Sequence, residues 1–129
     1  MKKWIFLIAL LSSTSYALTP TCPNASVIKA VGLSNNLARD QNGHWYAGRT
    51  AQHYGTPFKW TFVIGDIRAP TKQKALHEAY EALYTLSFKS GPMSAPSNKW
   101  LCLYDNDEGF PSGAVTPPIS QLKSLDALS

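Results

Sequence analysis

The stretch that decides the fold is residues 37–47, LARDQNGHWYA, where two short runs suited to strands flank a turn. Asn42 and Gly43 supply the positive φ angles that a tight hairpin turn requires. The stretch therefore predicts a β-hairpin whose strands lie on either side of residues 41–43. A short hairpin connection of this kind favours an antiparallel sheet.

One further strand and a long helix are expected after the hairpin. Residues 58–64, FKWTFVI, alternate large apolar side chains with others, which is typical of a strand with one apolar face. Residues 66–70 are expected to end this strand, and Thr71 can cap a helix that continues to about Phe88. The predicted buried stripe of this helix follows the spacing i, i+3, i+4, i+7 and comprises Leu76, Ala79, Tyr80, Leu83 and Leu86.

The remaining segments complete an α+β pattern. Residues 24–31 predict a short N-terminal helix, and residues 91–97, GPMSAPS, predict a loop. Residues 100–104 and 110–115 predict two more strands. The expected fold is thus an antiparallel sheet of about five strands with one long helix packed on a face. One helix cannot cover both faces of such a sheet, so some apolar surface is expected to be left for a ligand or a partner.

The N-terminus has the pattern of a cleaved export signal, with two lysines before the apolar run WIFLIALL and small residues at Ser15 and Ala17. We expect a signal peptide at residues 1–17, one domain at 18–118 and a C-terminal tail at 119–129, which could be a weak helix or lack fixed structure. The apolar run is too short to span a bilayer. The product is expected to be a periplasmic or secreted monomer, outside the membrane once the signal is removed.

The two cysteines, Cys22 and Cys102, are expected to form one disulfide in an oxidising compartment. The alternatives are a lipid anchor at Cys22, which its preceding residues fit poorly, and a catalytic thiol, which would leave an even cysteine count unexplained. Loss of the signal leaves ten basic against eight acidic residues. Because positive and negative side chains are both spread along the chain, nothing indicates a nucleic-acid-binding surface, and no nucleic-acid partner is expected.

No residue pattern predicts a catalytic or a metal site. His44, His53 and His77 do not share a familiar ligand spacing, and neither thiolates nor carboxylates stand at useful spacing from them. Asp66, Asp105 and Glu108 could serve as acid–base partners, as in any exported domain. Without a visible nucleophile–base pair, a small exported hydrolase ranks as the last of three functional hypotheses.

Several segments of the chain together resemble a small exported bacterial family of unknown function, one member of which carries a haemin-binding label. The likeness spans nearly the whole chain after the signal and lies at residues 22–23, 28–32, 42–46, 54–56, 60–63, 100–104 and 114–118. The resemblance implies export and a shared fold. It makes haemin a candidate ligand, and it carries no site residues over to this chain.

The leading functional hypothesis is a non-enzymatic exported binding module for haemin or another apolar small molecule. Its motivation is the aromatic excess of the strand segments together with this resemblance. A porphyrin needs an apolar slot and an axial ligand such as His or Tyr. The candidate ligand-binding residues are His44, Tyr46, His53 and Tyr54. The alternative is a secreted factor that binds a protein partner through an exposed sheet face or edge.

Overall fold

The protein, seen here in a computed structural model that describes residues 19–125, is built around one six-stranded sheet. Along the chain the elements are α1 (Ala25–Val31), β1 (Ala38–Arg39), β2 (His44–Gln52), β3 (Trp60–Arg68), α2 (Lys72–Tyr84), β4 (Ser87–Ala95), β5 (Lys99–Asp105) and β6 (Ser112–Thr116). The strands lie in the order β1-β2-β3-β6-β5-β4, and each neighbouring pair is antiparallel. The predicted α+β class and antiparallel sheet are confirmed, with six strands rather than about five and two helices.

The predicted hairpin forms, and two other predicted boundaries are wrong. Gly43 has a φ of +80°, and β1 pairs with β2 across the turn. Residues 91–95 of the predicted loop instead belong to β4, and residues 96–97 lie in the turn that follows it. An edge strand tolerates Pro92, which has no N–H to donate. The helix predicted to reach about Phe88 ends at Tyr84, so that Phe88 lies in β4.

One face of the sheet packs against the helices. Trp60 and Phe62 of β3 are fully buried there. The Thr71 hydroxyl caps α2 by accepting a hydrogen bond from Lys74 N at 3.1 Å. The predicted stripe is partly wrong, because Tyr80 is 42% exposed. Of the predicted stripe, Ala79, Leu83 and Leu86 are buried. The buried residues of α2 are Ala75, Ala79, Ala82 and Leu83.

The C-terminal segment lies on the other face of the sheet and covers part of the apolar surface expected there. Thr61 of β3 bonds to Ile119 twice, since its hydroxyl donates to Ile119 O at 3.0 Å and accepts from Ile119 N at 3.1 Å. Leu125 packs with Leu101 and Val115 in a second apolar cluster. The segment forms no helix over residues 119–124, and residues 126–129 lie outside the described part.

The predicted disulfide is confirmed. Cys22 and Cys102 are bonded, with 5.9 Å between their Cα atoms. The bridge closes a loop of 80 residues, for which chain-entropy estimates give a stabilisation of about 4 to 5 kcal/mol. The Tyr104 hydroxyl donates to Pro23 O at 2.5 Å beside the bridge. The N-terminal segment is therefore held on β5 by a covalent bond and a buried hydrogen bond.

Candidate binding site

The hairpin turn before β2 fixes a carboxylate. Asp40 Oδ1 accepts hydrogen bonds from Asn42 N at 2.8 Å and from His44 N at 2.9 Å. Its Oδ2 accepts from the Tyr46 hydroxyl at 2.8 Å. The His44 amide hydrogen bond, the largest cause, and the bonds from Tyr46 and Asn42 hold the pKa of Asp40 below its usual value, although desolvation opposes them. Asp40 is therefore an oriented, ionised carboxylate.

A β-bulge in β3 brings a second carboxylate to the same place. Trp45 faces Ile67 and Ala47 faces Ile64, so β3 has one residue more than β2 between these pairs. Gly65 lies in the bulge with a φ of +143°. A Cβ atom there would lie 2.5 Å from the Trp45 carbonyl oxygen and 2.9 Å from Tyr46 Cδ1. Only glycine fits, and bulges of this kind re-aim the side chains next to them.

The side chain placed by the bulge is Asp66, which lies against His44. The distance from His44 Nδ1 to Asp66 Oδ1 is 2.5 Å, and the distance to Asp40 Oδ2 is 3.8 Å. We call these three residues the His44 corner. Within the described chain they form the one group of three potential metal ligands whose atoms lie within 4.8 Å of one another.

The Asp66 carboxylate is only partly satisfied. The side chain as a whole is 40% exposed, but its Oδ1 atom is buried. Among residues 19–125 this atom has no hydrogen-bond partner, although His44 Nδ1 lies 2.5 Å away. Oδ1 therefore lies against the His44 ring and keeps lone pairs available for a further donor or a cation.

Tyr46 connects the His44 corner with the C-terminal segment. Its ring is buried, and its hydroxyl bonds to the Asp40 carboxylate and to the Ser124 side chain. Burial, with the Asp40 hydrogen bond second, raises the pKa of Tyr46 to about 12. The phenol therefore stays protonated and donates to Asp40.

The other two predicted site residues lie elsewhere. His53 follows the end of β2, is exposed, and has its Nδ1 3.2 Å from Thr56 O. Tyr54 is buried in the helix-side core. Along an extended strand this end lies roughly 25 to 30 Å from His44. The four candidate residues thus form two separate pairs, and only His44 and Tyr46 lie beside carboxylates.

The sequence pattern did not connect the two acidic members of the corner with His44. The search for ligand spacings found no carboxylate suited to His44, yet Asp40 stands four residues before it and Asp66 lies on the neighbouring strand. The sequence predicts that the strand ends at residues 66–70, whereas β3 includes Asp66 and continues to Arg68. Gly65-Asp66 directly after an apolar strand was the available signal, since a glycine within a strand often marks a bulge.

Two adjoining clefts lie beside the corner, between β1 and the C-terminal segment. The smaller, about 370 Å³, includes Asp40, Tyr46 and Lys123 in its lining. The larger, about 570 Å³, includes Arg49 and Leu37. Arg39 and Leu122 belong to both. The walls therefore combine apolar side chains with cationic ones, next to the carboxylates of the corner.

These features define a small disulfide-linked α+β domain with one polar corner at the edge of its sheet. The chain belongs to the family described as Domain of unknown function (DUF4949), which matches residues 21–111. The match includes all three residues of the His44 corner. No curated protein and no solved structure matches the chain. Between residues 19 and 125, no helix has the length and apolar character needed to cross a membrane.

Proposed function

We propose that this domain is an exported, non-enzymatic binding protein that coordinates the metal centre of its ligand through His44, with haemin as the candidate ligand. The observation that carries the proposal is the contact between His44 Nδ1 and the Asp66 carboxylate. A metal-ligating histidine almost always holds its second ring nitrogen against a carboxylate or a carbonyl. With Nδ1 against Asp66, the Nε2 atom is the one that can face a ligand.

The adjoining clefts supply the second part of the argument. A porphyrin has an apolar ring and two carboxylate groups, and guanidinium groups bind carboxylates strongly. Leu37 and Leu122 offer apolar contact, while Arg39 and Arg49 offer positive charge. Arg39 also lies over the Trp45 ring, with its guanidinium carbon 5.0 Å from the ring centroid. The cleft walls thus suit an amphipathic, anionic ligand next to the His44 corner.

A haemin titration followed by absorbance tests this function. The purified protein is compared with His44→Ala and with His53→Ala, which removes the same side chain at the other end of β2. We expect a saturable one-to-one spectral change in the unmodified protein and in His53→Ala, and its loss in His44→Ala. Metal-free protoporphyrin should bind more weakly than haemin to the unmodified protein and to His53→Ala, because it offers no iron to His44. A weak, unsaturable change that is equal in all three would contradict the proposal.

A protein partner is the second candidate ligand, favoured by apolar side chains exposed on the helix-bearing side. Tyr84 is 82% exposed and Phe88 is 50% exposed, and Tyr80 and Val31 are exposed as well. Large apolar side chains grouped in this way mark interaction surfaces. The proposed partner surface is therefore the helix-bearing side rather than the opposite sheet face, where the C-terminal segment lies. A double variant, Tyr84→Ser with Phe88→Ser, should lose a partner that the unmodified protein captures; equal capture would contradict this candidate.

Export is part of the proposal. The disulfide agrees with an oxidising compartment. The residues of the expected signal, 1–17, lie outside the described part of the chain. We expect the mature protein to begin at Leu18 and to contain no reactive thiol when denatured. Intact mass and thiol titration of protein purified from outside the cytoplasm measure both. Two free thiols would contradict the bridge, and an intact mass that includes residues 1–17 would contradict the cleavage.

A further inference from the structure

We infer that the His44 corner is a binding site for a bare divalent transition-metal ion such as Zn²⁺, with Asp40, His44 and Asp66 as its three protein ligands. This site does not depend on haemin. It uses the Nδ1 atom of His44 and both carboxylates, whereas the haemin proposal uses Nε2 and the neighbouring clefts. The two proposals can therefore fail separately.

The spacing of the ligand atoms is close to what a metal ion needs. Zinc binds imidazole nitrogen and carboxylate oxygen at about 2.0 to 2.2 Å, so two ligands of a tetrahedral ion lie about 3.3 Å apart. The two distances from His44 Nδ1, 2.5 Å and 3.8 Å, stand on either side of this value. Rotations of the side chains that move the atoms by less than about 1 Å would reach it.

The three ligands are held in place by the fold. Three hydrogen bonds orient the Asp40 carboxylate, one of them from the Tyr46 hydroxyl to Oδ2, the oxygen that faces His44. Outer hydrogen bonds of this kind are typical of ligating carboxylates. Asp66 is aimed by the Gly65 bulge, and its buried Oδ1 has no hydrogen-bond partner within residues 19–125. A cation would satisfy that atom.

The ligand types point to a transition-metal ion rather than to Ca²⁺ or Mg²⁺. Hard cations such as Ca²⁺ and Mg²⁺ take oxygen ligands, whereas imidazole suits Zn²⁺ and its first-row neighbours. Three protein ligands leave a fourth position open on a tetrahedral ion. The side chains of Asp40 and Asp66 are 32% and 40% exposed, so solvent or a ligand group can reach that position.

Calorimetric titration of the full protein with Zn²⁺ tests the site. The variants are His44→Ala, Asp66→Asn and Asp40→Asn, the last two keeping the side-chain shape while removing the charge. His77→Ala is the matched control, because His77 forms a similar contact with only one carboxylate, at 3.5 Å from Glu81. A melting curve of each metal-free variant checks that it is folded. Tyr46→Phe tests the outer hydrogen bond on Asp40.

We expect saturable one-to-one Zn²⁺ binding by the unmodified protein and by His77→Ala, its loss in His44→Ala, and an affinity at least about ten-fold lower in each Asp→Asn variant. Tyr46→Phe should lower the affinity by about ten-fold. Mg²⁺ should not compete. The site is disproved if the unmodified protein shows no saturable binding, or if folded His44→Ala and Asp66→Asn bind as tightly as it does. If the unmodified protein binds haemin but shows no saturable Zn²⁺ binding, the metal-ion site falls and the haemin proposal stands on its own.

Discussion

The two ends of β2 carry the same residue types and differ in what the next strand places beside them. His44 and Tyr46 stand at one end, and His53 and Tyr54 stand just beyond the other. At the first end, the bulge at Gly65 turns Asp66 toward His44. At the second end, the chain forms a local turn over residues 53–56. The Thr56 hydroxyl donates to His53 O at 2.8 Å and accepts from Trp60 Nε1 at 2.9 Å.

This difference shows that a histidine–tyrosine pair becomes a candidate site only through its neighbours. His44 lies within 4 Å of two carboxylates, while His53 has the backbone carbonyl of Thr56 beside its Nδ1. Tyr46 donates to Asp40, whereas the Tyr54 hydroxyl is buried without a hydrogen-bond partner in the described structure. We therefore expect changes at the first end to alter binding, and changes at the second end to alter stability alone.

The largest expected effect comes from the glycines that serve the two ends. Gly65→Ala places a Cβ atom 2.5 Å from a backbone oxygen at a φ of +143°. We expect it to lower the free energy of unfolding by about 2 to 5 kcal/mol, since strain and overpacking add. Gly55→Ala, in the turn after His53, has a φ of +76° but meets nothing within 4 Å among the described residues. It should cost about 1 kcal/mol.

Urea denaturation of both variants measures this contrast. The metal and haemin titrations, repeated on the Gly65 variant under conditions where it is folded, then show whether the bulge serves the corner. Equal losses of stability in the two variants would mean that the backbone conformation matters and that the close approach at Gly65 does not.

The next largest expected effect is a loss of stability at alkaline pH, caused by the buried tyrosine at the His53 end of β2. Burial raises the pKa of Tyr54 to about 12, and burial also raises that of Tyr104 in the same core. Each of these tyrosines has a higher pKa in the folded protein than its unfolded value near 10, because the fold favours the neutral phenol. The stability that this preference contributes is fully present below pH 10 and is lost as the pH rises toward 12. For Tyr54 alone this is about 2 to 3 kcal/mol.

Denaturation midpoints at pH 8, 10 and 11.5 measure that loss, with Tyr54→Phe alongside. The variant should lose less stability over this range than the unmodified protein, because it has no group to ionise at this position. Identical pH dependence in both proteins would show that Tyr54 is not the group responsible.

The smallest expected effect is a difference in the sign of the stability change when Tyr46 or Tyr54 is replaced by phenylalanine. Tyr46→Phe removes a hydrogen bond to a charged carboxylate and should destabilise the protein by about 1 to 2 kcal/mol. Tyr54→Phe removes a buried hydroxyl that has no partner among residues 19–125, so it should be neutral or stabilising by up to about 1 kcal/mol. Chemical denaturation at pH 7 compares them, and destabilisation of the same size in both would remove the contrast.

Local signals in the sequence predicted those parts of the fold that local chemistry decides. Asn42-Gly43 determines the hairpin turn, Thr71 caps α2, and the cysteine count predicts the bridge between Cys22 and Cys102. Each of these depends on residues close in sequence or on a simple count. They were therefore recognisable without any knowledge of tertiary contacts.

The features that were missed depend on contacts between distant residues. Pro92 in β4 reads as a loop until the strand is known to lie at a sheet edge. The C-terminal segment is fixed by Thr61, 58 residues before Ile119. The His44 corner likewise needs Asp66 from another strand, placed by a bulge that only the cross-strand register shows. The candidate histidine and tyrosine could be named in advance, and so could Asp66 as a general acid–base residue, but its place beside His44 and Asp40 could not.

The most direct test of the central claim, that metal coordination occurs at the His44 end of β2, is a Zn²⁺ titration followed by NMR of the imidazole C–H signals. The three histidines are assigned from His44→Ala, His53→Ala and His77→Ala. We predict that the His44 signals shift and saturate at one equivalent, while those of His53 and His77 stay in place. Signals of His53 or His77 that shift at the same zinc concentration, or His44 signals that do not move, would contradict the account.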